Sequence, residues 1–234
     1  MAANGPRTVA AILVAAGSGQ RLGADRPKAL VTVAGRTLLE HAADRFARHP
    51  AIGPVVVVAP ADHLEEAAAL TGLPVIPGGD TRQASVALGL ATIATAELVL
   101  VHDVARPFVP ESVITAVVDA LLAGADAVVP VVPVHDTVRR VDPDGVLAGV
   151  VDRSTLVAVQ TPQGFRRDVL AAAHAGASTA ATDDAALVEA RGGRVVSVPG
   201  ADESFKVTTP LDLARAEAVA RLMSAPSPSV PGGT

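Results

Sequence analysis

The stretch "LVAAGSGQRLGADRPKAL" (13–30) holds residue types that bind phosphates: three glycines, Arg21 and Lys28, with no acid before Asp25. Glycines let backbone amides approach an anion, and two cations on one loop can clamp separate phosphate groups. Pro27 fixes the chain just ahead of Lys28 and pushes Arg26 out of helical conformation. Two familiar phosphate loops are excluded. A dinucleotide fingerprint needs G-x-G-x-x-G, whereas Gly17, Gly19 and Gly23 are spaced G-x-G-x-x-x-G. The run "PVVVVAP" also ends on Pro60, so no acid stands there to hold a ribose. A P-loop needs a lysine directly after its last glycine, and Ala24 follows Gly23. Two readings remain: a phosphate cradle, or a glycine-rich connector carrying two solvated bases.

The elements around this loop decide what it can reach. Short Val/Ile/Leu runs at 9–15, 55–59, 74–76, 98–102 and 127–132 read as strands. Segments of helical period at 38–48, 63–70, 85–93 and 111–122 alternate with them. Several strands are unbroken apolar runs, as expected when helices cover both faces. Repeated β-α-β units imply an open, mainly parallel sheet, and ligands sit at the carboxyl ends of such strands. The glycine loop and "VHDVARPF" (101–108) both occupy that edge and are expected to meet. Past Pro133 the rhythm changes, and 135–160 reads as a hairpin arm turning at Asp142 and Gly145. Helices are expected at 167–175, 182–190 and 211–223, with a strand at 195–198. One domain over 1–223 with an inserted arm accounts for this order, and the Pro/Ser/Gly-rich tail 224–234 reads as disordered.

Composition narrows the partners. Hydrophobic residues make up 50% of the 234, but aromatics only 2%, so Ala, Val, Leu and Ile build the core. Few stacking platforms and a net charge of −5 argue against nucleic acid, and any phosphate site must be a local cluster of bases. Zero cysteines exclude disulfides, thiolate metal sites and cysteine nucleophiles. The six histidines show no metal-ligand or triad spacing and read as structural or exposed. The apolar run near the N-terminus reads as a first strand rather than a signal or membrane segment, so a cytoplasmic protein is expected.

Further stretches accompany the loop in order: "GGDTRQASV" (78–86), "VHDVARPFV" (101–109), "HDTV" (135–138), "TPQGF" (161–165), "TDDAALVE" (182–189) and "FKVTTPLDL" (205–213). Together, from about Val9 to Glu217, they closely resemble the 2-C-methyl-D-erythritol 4-phosphate cytidylyltransferase family. The resemblance implies a three-layer, Rossmann-like nucleotidyltransferase sheet with a projecting β-arm that builds a homodimer. It also implies transfer of CMP from CTP to the polyol phosphate, with pyrophosphate released. A phosphate monoester has its second pKa near ~6, so the attacking oxygen is largely ionised at neutral pH and needs no general base. The protein must supply charge neutralisation and alignment instead.

By motif matching, Arg21 and Lys28 stabilise the transition state at the α-phosphate. Asp103 helps place Mg²⁺ on the triphosphate, and Lys206 stands near the α-phosphate and the incoming substrate. Arg153, in the arm, grips the polyol phosphate in the other subunit's site, with Arg106, Thr137, Thr161 and Thr182 at further substrate-side positions. Cytosine carries an exocyclic amino donor, so its pocket wants acceptors there. Backbone groups of Ala15, Ala16 and Gly17, completed by Gly79, Asp80 and Ser85, are the expected lining. Asp80 is also placed to cap the helix that follows. One departure is Ala29, where the loop commonly carries glutamine after Pro-Lys. Two rivals remain: a cytidylyltransferase for ribitol 5-phosphate or another polyol phosphate, and a catalytically silent nucleotide-binding module on the same fold. Silence would predict erosion of the phosphate-site bases or the carboxylate, and Arg21, Lys28, Asp103 and Lys206 are all present.

Overall fold

In the computed structural model, which describes residues 8–17, 22, 26–177 and 183–224, the apolar runs form the middle of one sheet. In chain order the elements begin with β1 (Val9–Val14), β2 (Thr32–Val33), β3 (Arg36–Thr37), α1 (Leu38–Ala47), β4 (Val55–Ala59) and α2 (Leu64–Thr71). Next come β5 (Val75–Pro77), α3 (Arg82–Thr92), β6 (Leu98–Asp103), α4 (Glu111–Leu122) and β7 (Ala127–Pro133). The second half carries β8 (Val138–Val141), β9 (Leu147–Val151), β10 (Val157–Val159), β11 (Gln163–Arg166), α5 (Arg167–Ala175), α6 (Asp184–Glu189), β12 (Val195–Pro199) and α7 (Pro210–Ser224). The expected tail from 225 onward lies outside the described residues.

Strands β5, β4, β1 and β6 run parallel, and β12 runs parallel to β7. The short β11 is antiparallel between β6 and β7, and β10 is antiparallel on the end of β7. The period of two along each strand divides the core. Ala11 and Leu13 face one apolar layer with α1 and α4, while Ala10 and Ile12 face another with α3, α5 and α6. Both faces of the sheet are therefore buried, giving helix, sheet and helix layers. Gly89 makes one of these approaches possible: a Cβ there would stand 2.7 Å from Ile12 Cγ2, so α3 lies directly on β1.

One expectation is corrected. The arm is narrower than 135–160, because β10 belongs to the central sheet and only the β8–β9 hairpin stands apart. Its turn is closed by the Asp142 carbonyl accepting the Gly145 amide at 3.1 Å. Lys28 opens a 3-10 turn, and the β2–β3 hairpin intervenes before α1. There Thr37 caps α1 reciprocally: its hydroxyl accepts the Glu40 amide at 3.1 Å and its own amide donates to Glu40 at 2.7 Å.

Candidate active site

The register of the parallel strands builds the site. Val14 at the end of β1 pairs with Asp103 at the end of β6, and Ala59 at the end of β4 pairs with Pro77 at the end of β5. The loops leaving β1, β5 and β6 therefore meet along one edge. They enclose an open cleft of about 650 Å³, lined by Ala15, Ala16 and Gly17 after β1, by Gly79 and Asp80 after β5, and by Lys28, Ser85, Asp103 and Lys206. Gly78 shows how closely the walls approach, since a Cβ there would stand 2.5 Å from the Ala16 Cβ. Ser85, buried at the start of α3, fixes the wall by accepting the Gly79 amide at 3.1 Å and donating to the Thr81 carbonyl at 3.0 Å. The cap of α3 is Thr81, whose hydroxyl accepts the Ala84 amide at 3.0 Å. Asp80 is thus not the cap; it stands exposed on the cleft wall.

Charge gathers on the floor. Asp103 Oδ2 accepts from Lys206 Nζ at 2.6 Å, and Oδ1 accepts from Arg82 Nε at 2.9 Å. Arg82 Nη1 donates to Asp184 Oδ2 at 2.6 Å, and His174 Nε2 stands 2.9 Å from Asp184 Oδ1. Burial works to raise the Asp103 carboxyl, but Arg82 and Lys206 overcome it and hold the group well below the usual carboxylate range. Burial likewise works against the Arg82 cation, and Asp103 and Asp184 more than offset it. The Lys206 segment is anchored by Phe205 and Val207, which pack with Phe108 and the buried face of α7.

Beneath Asp103 lies a neutral network. The Arg106 carbonyl can only accept, so His102 Nε2 carries the proton it shares with that oxygen at 3.0 Å. His102 Nδ1 then accepts from the Thr161 hydroxyl at 3.1 Å, and Thr161 Oγ1 accepts the Asp103 amide at 3.1 Å. Burial pushes the His102 imidazole down to about 4, in keeping with a neutral ring.

This cleft belongs to a chain with close relatives. The family model for 2-C-methyl-D-erythritol 4-phosphate cytidylyltransferase matches residues 9–222. The chain belongs to that family. It is 47% identical to the Streptomyces avermitilis protein of that name, with 92% of each chain covered. The corresponding protein of Saccharopolyspora erythraea is 50% identical, with 91% of this chain and 99% of that one covered. The crystal structure of the Thermus thermophilus member superposes with a TM-score of 0.77 at 40% identity, covering 90% of this chain and 98% of that one.

For a member of this family, the remaining expected site residues fall into three groups. Arg21 and Thr182 lie outside the described residues, as do Gly19 and Gly23 of the loop. Arg106 and Thr161, expected on the substrate side, are engaged within the protein. Arg106 donates to the Ser204 carbonyl at 2.7 Å and the Val159 carbonyl at 3.2 Å, while the Thr161 hydroxyl is held between His102 and the Asp103 amide. Neither lines the cleft of this chain. Arg153 and Thr137 lie at the base of the β8–β9 hairpin and do not line their own chain's cleft; Arg153 donates to the His135 carbonyl.

Sequence reasoning missed Arg82 and Asp184. A signal for Arg82 was present: a cation in the first turn of a helix opposes the helix dipole, so it needs anionic partners. Asp184 carried no comparable signal, because an acid beside a helix start is ordinary.

Proposed function

We propose that this chain transfers the cytidylyl group of CTP to 2-C-methyl-D-erythritol 4-phosphate, with the cleft as the nucleotide site. The carrying observation is the strand register that brings Lys28, Lys206 and Asp103 to one glycine-lined edge. A phosphate oxygen of the substrate attacks the α-phosphorus of CTP. The bond to the β-phosphate oxygen breaks, and its electrons leave with pyrophosphate. Lys28, with Arg21 from the same loop, neutralises charge that develops on the α-phosphoryl oxygens. Lys206 also lines the cleft, where its ammonium can pass from Asp103 to a phosphate of the bound substrates. The backbone at Ala15, Ala16 and Gly17, with Gly79 and Asp80 opposite, offers acceptors for the cytosine amino group.

Among the described residues no group of three or more His, Cys, Asp or Glu is placed to hold a metal alone. That donor set fits Mg²⁺, which keeps several waters and binds through one or two carboxylates plus substrate phosphates. Asp103 is the carboxylate that would hold it, and an ionised carboxylate retains acceptor sites beyond those given to Arg82 and Lys206. When bound, the ion supplies charge neutralisation on the triphosphate.

The arm supports a homodimer. Val141, Val146, Leu147 and Val150 are each more than half exposed on the β8–β9 hairpin, an apolar surface that a second copy would cover. Arg153 and Thr137, remote from their own cleft, then grip the polyol phosphate in the partner's. A CTP-consuming reaction belongs where CTP is held, so the expected compartment remains the cytoplasm; no described helix is long and apolar enough to cross a membrane.

Pyrophosphate release with CTP and Mg²⁺, comparing 2-C-methyl-D-erythritol 4-phosphate with ribitol 5-phosphate, tests the assignment. Release with the methylerythritol phosphate is expected. Release with ribitol phosphate alone would overturn the substrate while leaving the phosphate site intact.

A further inference from the structure

Arg82 is held in an arrangement that stability alone does not explain. It opens α3 directly after the Thr81 cap, where the helix dipole opposes a cation. Its side chain is only 29% exposed, and that exposed part lines the cleft. Arginine normally grips a carboxylate with two parallel N–H bonds. Here each carboxylate takes a single bond from a different edge: Nε goes to Asp103 Oδ1 and Nη1 to Asp184 Oδ2. Asp103 is thereby left with Oδ2 for Lys206.

Asp184 is 1% exposed and absent from the cleft wall. It is fixed from behind by several elements. Its neighbour Asp183 caps α6, accepting the Ala186 amide at 2.9 Å and the Gln163 side-chain amide at 2.8 Å. Gln163, wholly buried on β11, also accepts the Ala185 amide at 3.2 Å, and His174 from α5 takes the other Asp184 oxygen. Desolvating such ions consumes most of their mutual attraction, so a buried pair is a poor device for stability by itself. Its effect lies in where it holds the guanidinium.

We propose that Asp184 is a positioning residue for the nucleotide: by gripping Nη1 it holds the guanidinium so that only Nε reaches Asp103, which leaves the second Asp103 oxygen to Lys206 at the cleft. Without Asp184, Arg82 closes on both Asp103 oxygens and displaces Lys206. The inference rests on the cytidylyl-transfer reading and uses its nucleotide, and it adds a residue that touches neither substrate.

The test combines calorimetric binding of CTP with Mg²⁺, turnover with 2-C-methyl-D-erythritol 4-phosphate, and thermal melting. Asp184→Asn keeps the shape and removes the charge. It is expected to weaken CTP binding and kcat together by about 10- to 100-fold, the scale of a misplaced catalytic geometry, with KM for the polyol phosphate rising less. In an Arg82→Gln background the same change is expected to cost nothing further. Full additivity of the two changes would overturn the proposal, as would Asp184→Asn protein that melts early yet binds CTP and turns over normally. Should Asp184→Asn fail to fold, Arg82→Lys carries the test, because a point charge cannot span both carboxylates. Normal CTP affinity in that variant overturns the proposal, and a matching loss sustains it. Wild-type protein that binds CTP but turns over no polyol phosphate would remove the transfer reading while the affinity comparison still decides Asp184.

Discussion

The cleft floor and the β8–β9 arm are opposites in how they use side chains. On the floor, every charge on the path from Lys206 through Asp103 and Arg82 to Asp184 has a partner within the same chain. The arm instead carries valines and a leucine that its own chain leaves exposed, and its Arg153 stands away from its own cleft. The floor is pre-assembled, so little reorganisation is needed when charge develops in the transition state. On the proposed reading, the arm is a half-interface whose chemistry depends on a second copy.

The largest expected effect breaks the floor without touching the arm. Lys28→Ala should lower kcat by roughly 10²- to 10³-fold, the scale of losing one preorganised charge at a reacting phosphate. Sedimentation and melting should stay at wild-type values. Turnover within a few-fold of wild type would remove Lys28 from the chemistry.

A pH series sharpens the same side of the comparison. Buried His102 resists protonation down to about 4, whereas the unfolded chain takes up that proton near its ordinary 6.5. Between those values the unfolded state holds more protons, so stability falls as pH drops through the window, by about 3 kcal/mol in all. Asp103 acts further down: its lowered value gives stability that is present at neutral pH and is lost progressively as pH falls into and below the ordinary carboxylate range. Urea unfolding from pH 7 to 4 would show this slope, and His102→Asn should flatten it. An unchanged slope in that variant would assign the acid sensitivity elsewhere.

The smallest effect on the chain itself belongs to the arm. Leu147→Asp removes an exposed side chain, so the stability of one chain should change by no more than about 0.5 kcal/mol. The proposed dimer should nevertheless dissociate in sedimentation, and turnover should fall while CTP binding persists. A dimer that survives both Leu147→Asp and Val150→Asp would place the interface elsewhere.

Much of this is legible in the sequence, for physical reasons. The runs at 55–59 and 111–122 coincide with β4 and α4, since unbroken Val runs and a clean helical period leave little ambiguity. The short antiparallel β11 is not legible, because "TPQGF" has neither alternation nor length and takes its strand form from the neighbours β6 and β7. The helical period points to Ser85 rather than Arg82 as the start of α3, as "GGDTRQ" reads as loop until Thr81 is seen to cap it. Residue types reveal which groups belong to phosphate chemistry but not which are already engaged. Thr161 and Arg106 look available as letters, and only the fold shows their hydrogen bonds to His102, the Asp103 amide and two carbonyls.

Complementation tests the division of labour between floor and arm most directly. Lys28→Ala and Arg153→Ala proteins, each deficient alone, would be mixed, allowed to exchange subunits, and assayed for pyrophosphate release from CTP and 2-C-methyl-D-erythritol 4-phosphate. If each cleft takes its arm from the partner, a mixed dimer has one site with both lesions and one with neither. Turnover should then recover to about a quarter of wild type at equal mixing in a symmetric dimer. Mixed dimers that form but recover no activity would contradict the shared site and return Arg153 to its own chain.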